Sequence, residues 1–175
     1  MKPLRSAPPP TTGDRPRPAR TDHMMAAAND DPYQAAARPP EPTKCPGCGA
    51  SFQNGRWSWA KAPEDSHVQM CPACQREHDH FPAGYVSIKG QFFAEHRDEI
   101  IALIQNKEKA ERSERPLQRI MAIEEKRDGG IEVSTTDSHL ARGIAQALHE
   151  SYKGDMKVRY SRDENLVRAT WKREK

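Results

Sequence analysis

Cys45-Pro46-Gly47-Cys48 and Cys71-Pro72-Ala73-Cys74 contain every cysteine of this 175-residue chain. Each pair has the C-x-x-C spacing, and 22 residues separate the two pairs. A C-x-x-C turn brings two thiolates close enough to share one tetrahedral ion. Two such knuckles at the ends of a loop complete a closed four-cysteine site, with Zn–S distances of roughly 2.3 Å. The gap is slightly wider than the ~15–20 residues of the usual zinc template. Gly47 and Gly49 give the first knuckle its backbone freedom. Ala73 stands in the second knuckle, which is expected to differ in shape. The expected cofactor is Zn2+ held by Cys45, Cys48, Cys71 and Cys74. Its role is structural, because four thiolates leave no open position for catalysis.

Other uses of these cysteines fit less well. A disulfide framework needs an oxidising compartment, and the N-terminus carries no readable secretory signal. A redox pair comes as one C-x-x-C beside a βαβ unit, not as two pairs flanking a loop. His67, His78 and His80 lie close by in sequence, but the thiolates already fill the shell.

Between the knuckles runs Gly55-Arg56-Trp57-Ser58-Trp59-Ala60-Lys61, a strand-like alternation. Arg56, Trp57, Trp59 and Lys61 could stack on and neutralise a nucleic acid strand. The competing reading packs one tryptophan over the knuckles, because so small a module has little else to bury. Phe81 to Val86 reads as a turn into a short strand leading out of the ribbon. The ribbon module is thus expected over residues 45–90.

Upstream, residues 1–44 hold ten of the 15 prolines and few large apolar residues. They read as a disordered, Pro-rich tail with polyproline-like pieces. Arg15, Arg17 and Arg20 make it locally basic, either as a loose binding arm or as a solvated segment. Met1, Met24 and Met25 are each possible translation starts.

Downstream, Phe92, Phe93, Ile100, Ile101, Leu103 and Ile104 recur at helical spacing. A charged linking helix is expected over residues 91–116, ended by Pro116. Glu95-His96-Arg97-Asp98-Glu99 lacks the second histidine of an H-E-x-x-H metal motif and reads as a charged helix face.

Residues 117–175 read as a ββαββ domain with one helix on a four-stranded antiparallel sheet. Ile120–Ile123 and Ile131–Thr135 flank an Asp-Gly-Gly turn. Asp137 or Ser138 caps a helix with the stripe Leu140, Ile144, Leu148, and Gly154 ends it. Two further strands alternate, with Val158, Tyr160, Val167, Ala169 and Trp171 toward the helix. Lys157, Arg159, Arg168 and Lys172 then share the open face, as a phosphate-contact surface or simply as solvated strand positions. That face carries no RNP-type aromatic signature.

The fold class expected is therefore α+β. Net charge is only +3, and mean hydropathy is −0.97. This balance permits nucleic-acid binding without demanding it. No apolar run is long enough to span a bilayer. A cytoplasmic location follows from metal-committed cysteines and the lack of an anchor. No G-x-x-x-x-G-K-[ST] loop, G-x-S-x-G elbow or open metal site is present, so no enzymatic role and no small-molecule substrate are expected.

The four-cysteine module followed by Pro82-Ala83-Gly84, the helix with His96-Arg97-Asp98-Glu99-Ile100, and Thr135-Thr136-Asp137-Ser138-His139-Leu140-Ala141-Arg142 resemble a family of small bacterial zinc-ribbon proteins. That family is similar in turn to the N-terminal zinc-binding part of the archaeal and eukaryotic large-ribosomal-subunit export adapter, the nonsense-mediated-decay-type protein. The resemblance spans about residues 44–174. It implies association with RNA or ribosomes and carries over Cys45, Cys48, Cys71 and Cys74 as ligands. The expected function is a non-enzymatic RNA- or ribosome-binding adapter. The alternative is a protein–protein or transcription-linked adapter.

Overall fold

The computed structural model describes residues 31–162 and 165–175. The expectations for residues 1–30, including the basic arm, the alternative starts and most of the disordered tail, lie outside the described residues. So do positions 163 and 164 of the last turn.

Two mixed sheets organise the chain. The first has the order β3-β2-β1-β4, from strands Thr43–Lys44 (β1), Ser51–Gln53 (β2), Arg56–Ser58 (β3) and His67–Val68 (β4). β1–β2 and β2–β3 are antiparallel, whereas β4 runs parallel to β1. Residues 31–44, expected to belong to the tail, are folded. A short helix Gln34–Ala37 (α1) precedes β1, and Thr43 is fully buried. Tyr33 anchors this segment. Its hydroxyl donates to Asp79 at 3.0 Å, and Arg76 lies 4.3 Å from its ring centre. Arg76 is itself buried and bonds Asp31 at 2.8 Å.

Residues 117–175 follow the expected ββαββ order, but the second sheet is not the four-stranded antiparallel one expected. Its order is β6-β7-β5-β9-β8, from Gly84–Lys89 (β5), Ile120–Glu125 (β6), Ile131–Thr135 (β7), Asp155–Ser161 (β8) and Leu166–Lys172 (β9). β5, expected to be the ribbon's exit, is its central strand. It pairs antiparallel with β7 and parallel with β9, so the sheet is not all antiparallel. The physical reason is burial: Val86 and Ile88 are fully buried, and the backbone amides and carbonyls of so enclosed a strand need partners on both edges.

The segment expected to be a linking helix is a packing layer. It comprises Gln91–Glu95 (α3) and Arg97–Glu114 (α4), broken at His96. Phe93, Ile100 and Ile104 are buried in one core with Val86, Ile88, Val133, Ile144, Leu148 and Trp171. The charged second half of α4 is laced by Lys107–Glu111 and Arg115–Glu111 pairs at i,i+4 spacing. The helix stops at Glu114, before the Arg115-Pro116 step that disfavours helical backbone. Helix Ser138–Tyr152 (α5) lies against β5, β7 and β9 and beside α4. It approaches closely because Gly84 has no side chain: a Cβ there would fall 2.6 Å from that of Ala141.

Asp137 is the N-cap of α5. Its Oδ1 accepts from the amides of His139 and Leu140 at 2.8 and 3.1 Å. Asp137→Ala is expected to lower stability by about 1 kcal/mol, seen as a lower urea midpoint at constant m-value. An unchanged midpoint would mean that solvent caps the helix equally well.

Candidate metal centre and basic sheet face

The first knuckle is the turn between β1 and β2. The amide of Cys45 donates to Ala50, and that of Gly49 donates to Cys45. Gly49 has φ +80°, a left-handed angle that suits glycine. Gly47 serves differently: a Cβ there would sit 3.1 Å from the Cys74 sulfur. It leaves room beside the cysteine cluster.

The second knuckle opens a helix that the alternation did not reveal, Pro72–Asp79 (α2). Cys71 is its N-cap and Pro72 its first residue, a favoured place for proline. The Cys74 amide donates to the Cys71 sulfur, and the Cys71 amide to the Cys45 sulfur. The positive end of the helix dipole thus meets the thiolates.

The four sulfurs lie within 4.8 Å of one another, and those of Cys48 and Cys71 are 3.8 Å apart. Four bonds of roughly 2.3 Å in a tetrahedron require S···S separations of roughly 3.8 Å. The cysteines are free thiols, and the cluster fits a single ion. Among the described residues no histidine joins it, and His67, His78 and His80 are exposed. The four cysteines would hold Zn2+ and fix the two ends of the ribbon to each other.

Charge around the sulfurs explains their readiness for a cation. In the thiol cluster, the Cys71 bond draws Cys48 down to about 4. The same bond, with burial, pushes Cys71 up. Burial raises Cys74, partly offset by Arg119. The cluster therefore retains protons near neutrality that a metal must displace, so metal affinity falls as pH is lowered.

Arg119, just ahead of β6, was not singled out in the sequence. It is 3% exposed, and its guanidinium reaches the Cys74 sulfur at 3.3 Å, the Cys71 sulfur at 3.6 Å and Glu77 at 3.1 Å. Burial opposes its charge, but the Cys74 bond and the neighbouring cysteines outweigh burial, and its pKa is raised. Four thiolates and one Zn2+ carry a formal charge of −2, and Arg119 offsets half of it. No local signal in Leu117-Gln118-Arg119-Ile120 announces this.

No family model, curated protein or solved structure matches this chain.

The residues read as nucleic-acid contacts divide. Trp57 is 7% exposed and packs on Phe52 with ring centres 5.6 Å apart, so it is part of the ribbon core and not a stacking platform. Trp59 is partly exposed, and its indole N–H donates to the Arg112 carbonyl at 2.6 Å, fixing the ribbon to α4. Arg56 and Lys61 are exposed.

Lys157, Arg159, Arg168 and Lys172 are all exposed, and the register places them together. Arg159 is opposite Arg168, and Lys157 is opposite Thr170. Across β9, Tyr85 is opposite Arg168 and Lys89 is opposite Lys172. The Arg168 guanidinium lies 5.1 Å from the Tyr85 ring centre. The face opposite α5 thus carries five basic residues on three adjacent strands, with one aromatic among them. Asp155 lies opposite Lys172 on the same face, Lys172 pairs with Glu174, Lys89 lies 3.9 Å from Asp128 and Lys126 pairs with Glu132, so acidic side chains both enter and border the patch. Met156, Val158 and Tyr160 share the helix side with Trp171, Ala169 and Val167, yet stay exposed. β8 is an edge strand, and the helices do not cover it.

No helix among the described residues is long and apolar enough to cross a membrane.

Proposed function

We propose that this protein is a zinc-scaffolded, non-enzymatic adapter that binds RNA, alone or on ribosomes, through the open face of its second sheet. The observation that carries the reading is the single patch formed by Lys89, Lys157, Arg159, Arg168 and Lys172 around Tyr85. Neither Lys157 nor Arg159 has a carboxylate within ion-pair distance among the described residues. A basic, open sheet face favours phosphate contacts over base reading, because little on it can report base identity. The resemblance of the cysteine module and of Thr135–Arg142 to the zinc-ribbon family points the same way.

Binding of a labelled oligouridylate to the zinc-loaded protein, followed by fluorescence anisotropy, tests this. About four phosphate contacts on a single strand predict a slope of log K against log salt near −3. A Lys157→Glu, Arg159→Glu double variant is expected to weaken binding at least ~10-fold at low salt, by inverting two charges. A slope near zero, or full binding by the double variant, would remove the sheet face from consideration.

A second reading, a partner protein added to β8, is favoured by that strand's free edge and exposed apolar row. Partner capture that is insensitive to salt and abolished by Val158→Asp would favour it.

A further inference from the structure

The helix side of the second sheet is only partly roofed. On β9, Val167, Ala169 and Trp171 are buried beneath α5. Their partners on β8, Tyr160, Val158 and Met156, point to the same side and are 54%, 39% and 37% exposed. This bare row lines a groove of about 1270 Å³, with Arg142 of α5 on one wall and Asp31, Tyr33 and Arg38 on the other. A contiguous apolar row in a groove marks a docking surface, unlike apolar residues scattered singly. The volume exceeds the ~300–1,000 Å³ of small-molecule sites and suits a length of chain.

Charge and the path of the chain indicate what fills it. Both lining carboxylates are engaged, Asp31 by Arg76 at 2.8 Å and Asp137 as the cap of α5. Arg38 and Arg142 are exposed and have no ion-pair partner among the described residues, so the uncommitted charge of the lining is positive. The described chain begins at Asp31, on the wall of this same groove. Just ahead of it stands Asp22-His23-Met24-Met25-Ala26-Ala27-Ala28-Asn29-Asp30. Met24 to Ala28 is the longest apolar run in positions 1–30, and acids bracket it. Met25 is six residues ahead of Asp31, a reach of up to ~20 Å, whereas the row from Met156 to Tyr160 is about 14 Å long. A second copy fits less well. Antiparallel pairing of β8 with itself about Val158 sets Lys157 opposite Arg159, and like charges directly opposite are destabilising.

We propose that residues 24–28 of this chain seat in the groove over Met156, Val158 and Tyr160, with Asp30 toward Arg38 and Asp22 toward Arg142. The row lies on the face opposite Lys157 and Arg159, so the seat stands whether or not the basic face binds RNA. While seated, the segment denies the row to the partner protein of the second reading.

The test is methyl NMR of the zinc-loaded full chain. The Met24 and Met25 ε-methyls are expected to give NOEs to the Met156 ε-methyl and the Val158 methyls. In a Met24→Asp, Met25→Asp double variant those NOEs are lost and the Met156 and Val158 signals shift. The Val86 and Ile88 methyls should stay in place and report an intact sheet. Arg142→Glu, an exposed change, should weaken the NOEs by reversing one charge contact. A mixture of 13C-labelled and unlabelled chains identifies the source of the segment. NOEs within one chain support the proposal, and NOEs between labelled and unlabelled chains assign the seat to a second copy and overturn it. Absence of these NOEs, or unchanged Met156 and Val158 signals in the double variant, also overturns it, and the row is then open to a partner protein.

Discussion

Removing the metal, by chelation or by Cys71→Ser, is expected to unfold the ribbon while the second sheet keeps its core. Amide exchange should show protection lost across residues 43–79 and retained at Val86 and Ile88. The ribbon core consists of Cys45, Ala50, Phe52, Trp57, Cys71 and Ala73, so two of its six buried residues belong to the cysteine cluster itself. Such a core has too little apolar surface to offset chain entropy, and the metal's binding energy, about 10–16 kcal/mol in small zinc modules, becomes its folding energy. The sheet core holds fifteen buried residues, from Val86 to Trp171, and contains no ligand. The boundary therefore falls before Gly84, because β5 cannot leave without dismantling the sheet at its centre. Ribbon amides that stay protected after chelation would contradict this, as would simultaneous loss of protection at Val86 and Ile88.

The second large effect is expected at Arg119. Its guanidinium bonds two ligand sulfurs, Glu77 and the Pro116 carbonyl while almost fully buried. Arg119→Met preserves much of the apolar stem and deletes the charge. It leaves the thiolates and Glu77 facing each other with no cation between them, a loss of about 3–5 kcal/mol by analogy with broken buried pairs. Removing a group that orients metal ligands also lowers metal affinity, by roughly 10–100-fold. Competition with a chromophoric chelator measures the affinity, and urea unfolding measures the stability. Arg119→Lys should recover only part of either, since a lysine cannot bridge several acceptors with one planar group. Unchanged zinc affinity in Arg119→Met would reduce Arg119 to a packing residue.

Much of this arrangement was legible where the determining interactions are local. The cysteine spacing identified the four-cysteine cluster, because a knuckle is a turn whose geometry is set within four residues. The β6–β7 and β8–β9 hairpins, the Asp137 cap and the alternation that places Lys157, Arg159, Arg168 and Lys172 on one face are all short-range patterns. What escaped was long-range. Gly84-Tyr85-Val86-Ser87-Ile88-Lys89 alternates like any half-buried strand, but nothing within it reveals that its neighbours are β7 and β9. The periodicity of Phe93, Ile100 and Ile104 marks a helix with an apolar stripe, yet a stripe alone does not distinguish a linker from a layer of the core. Trp57 and Trp59 have the spacing of residues on one face of a strand. β3 ends at Ser58, however, so Trp59 leaves the sheet and turns to α4. Arg119 acquires its role only from α2, more than forty residues earlier in the chain.

The parallel pairing of β5 with β9 has a consequence for the order in which the molecule can be built. Gly84 lies opposite Val167, so the centre of the sheet is made early and its partner late. At translation rates of about 5–20 residues per second, β5 waits on the order of ten seconds for that partner. The ribbon has no such delay, because all its strands and ligands lie within residues 43–79. Its four cysteines would be able to close around an ion as soon as Cys74 is free of the ribosome. Arg119 then arrives to meet an assembled cluster, and β9 completes the sheet last. During that interval Val86 and Ile88 stand beside a finished ribbon with no strand neighbour until β7 is made and with one side still open until β9 arrives, which makes this the window in which the nascent chain is most exposed to mispairing.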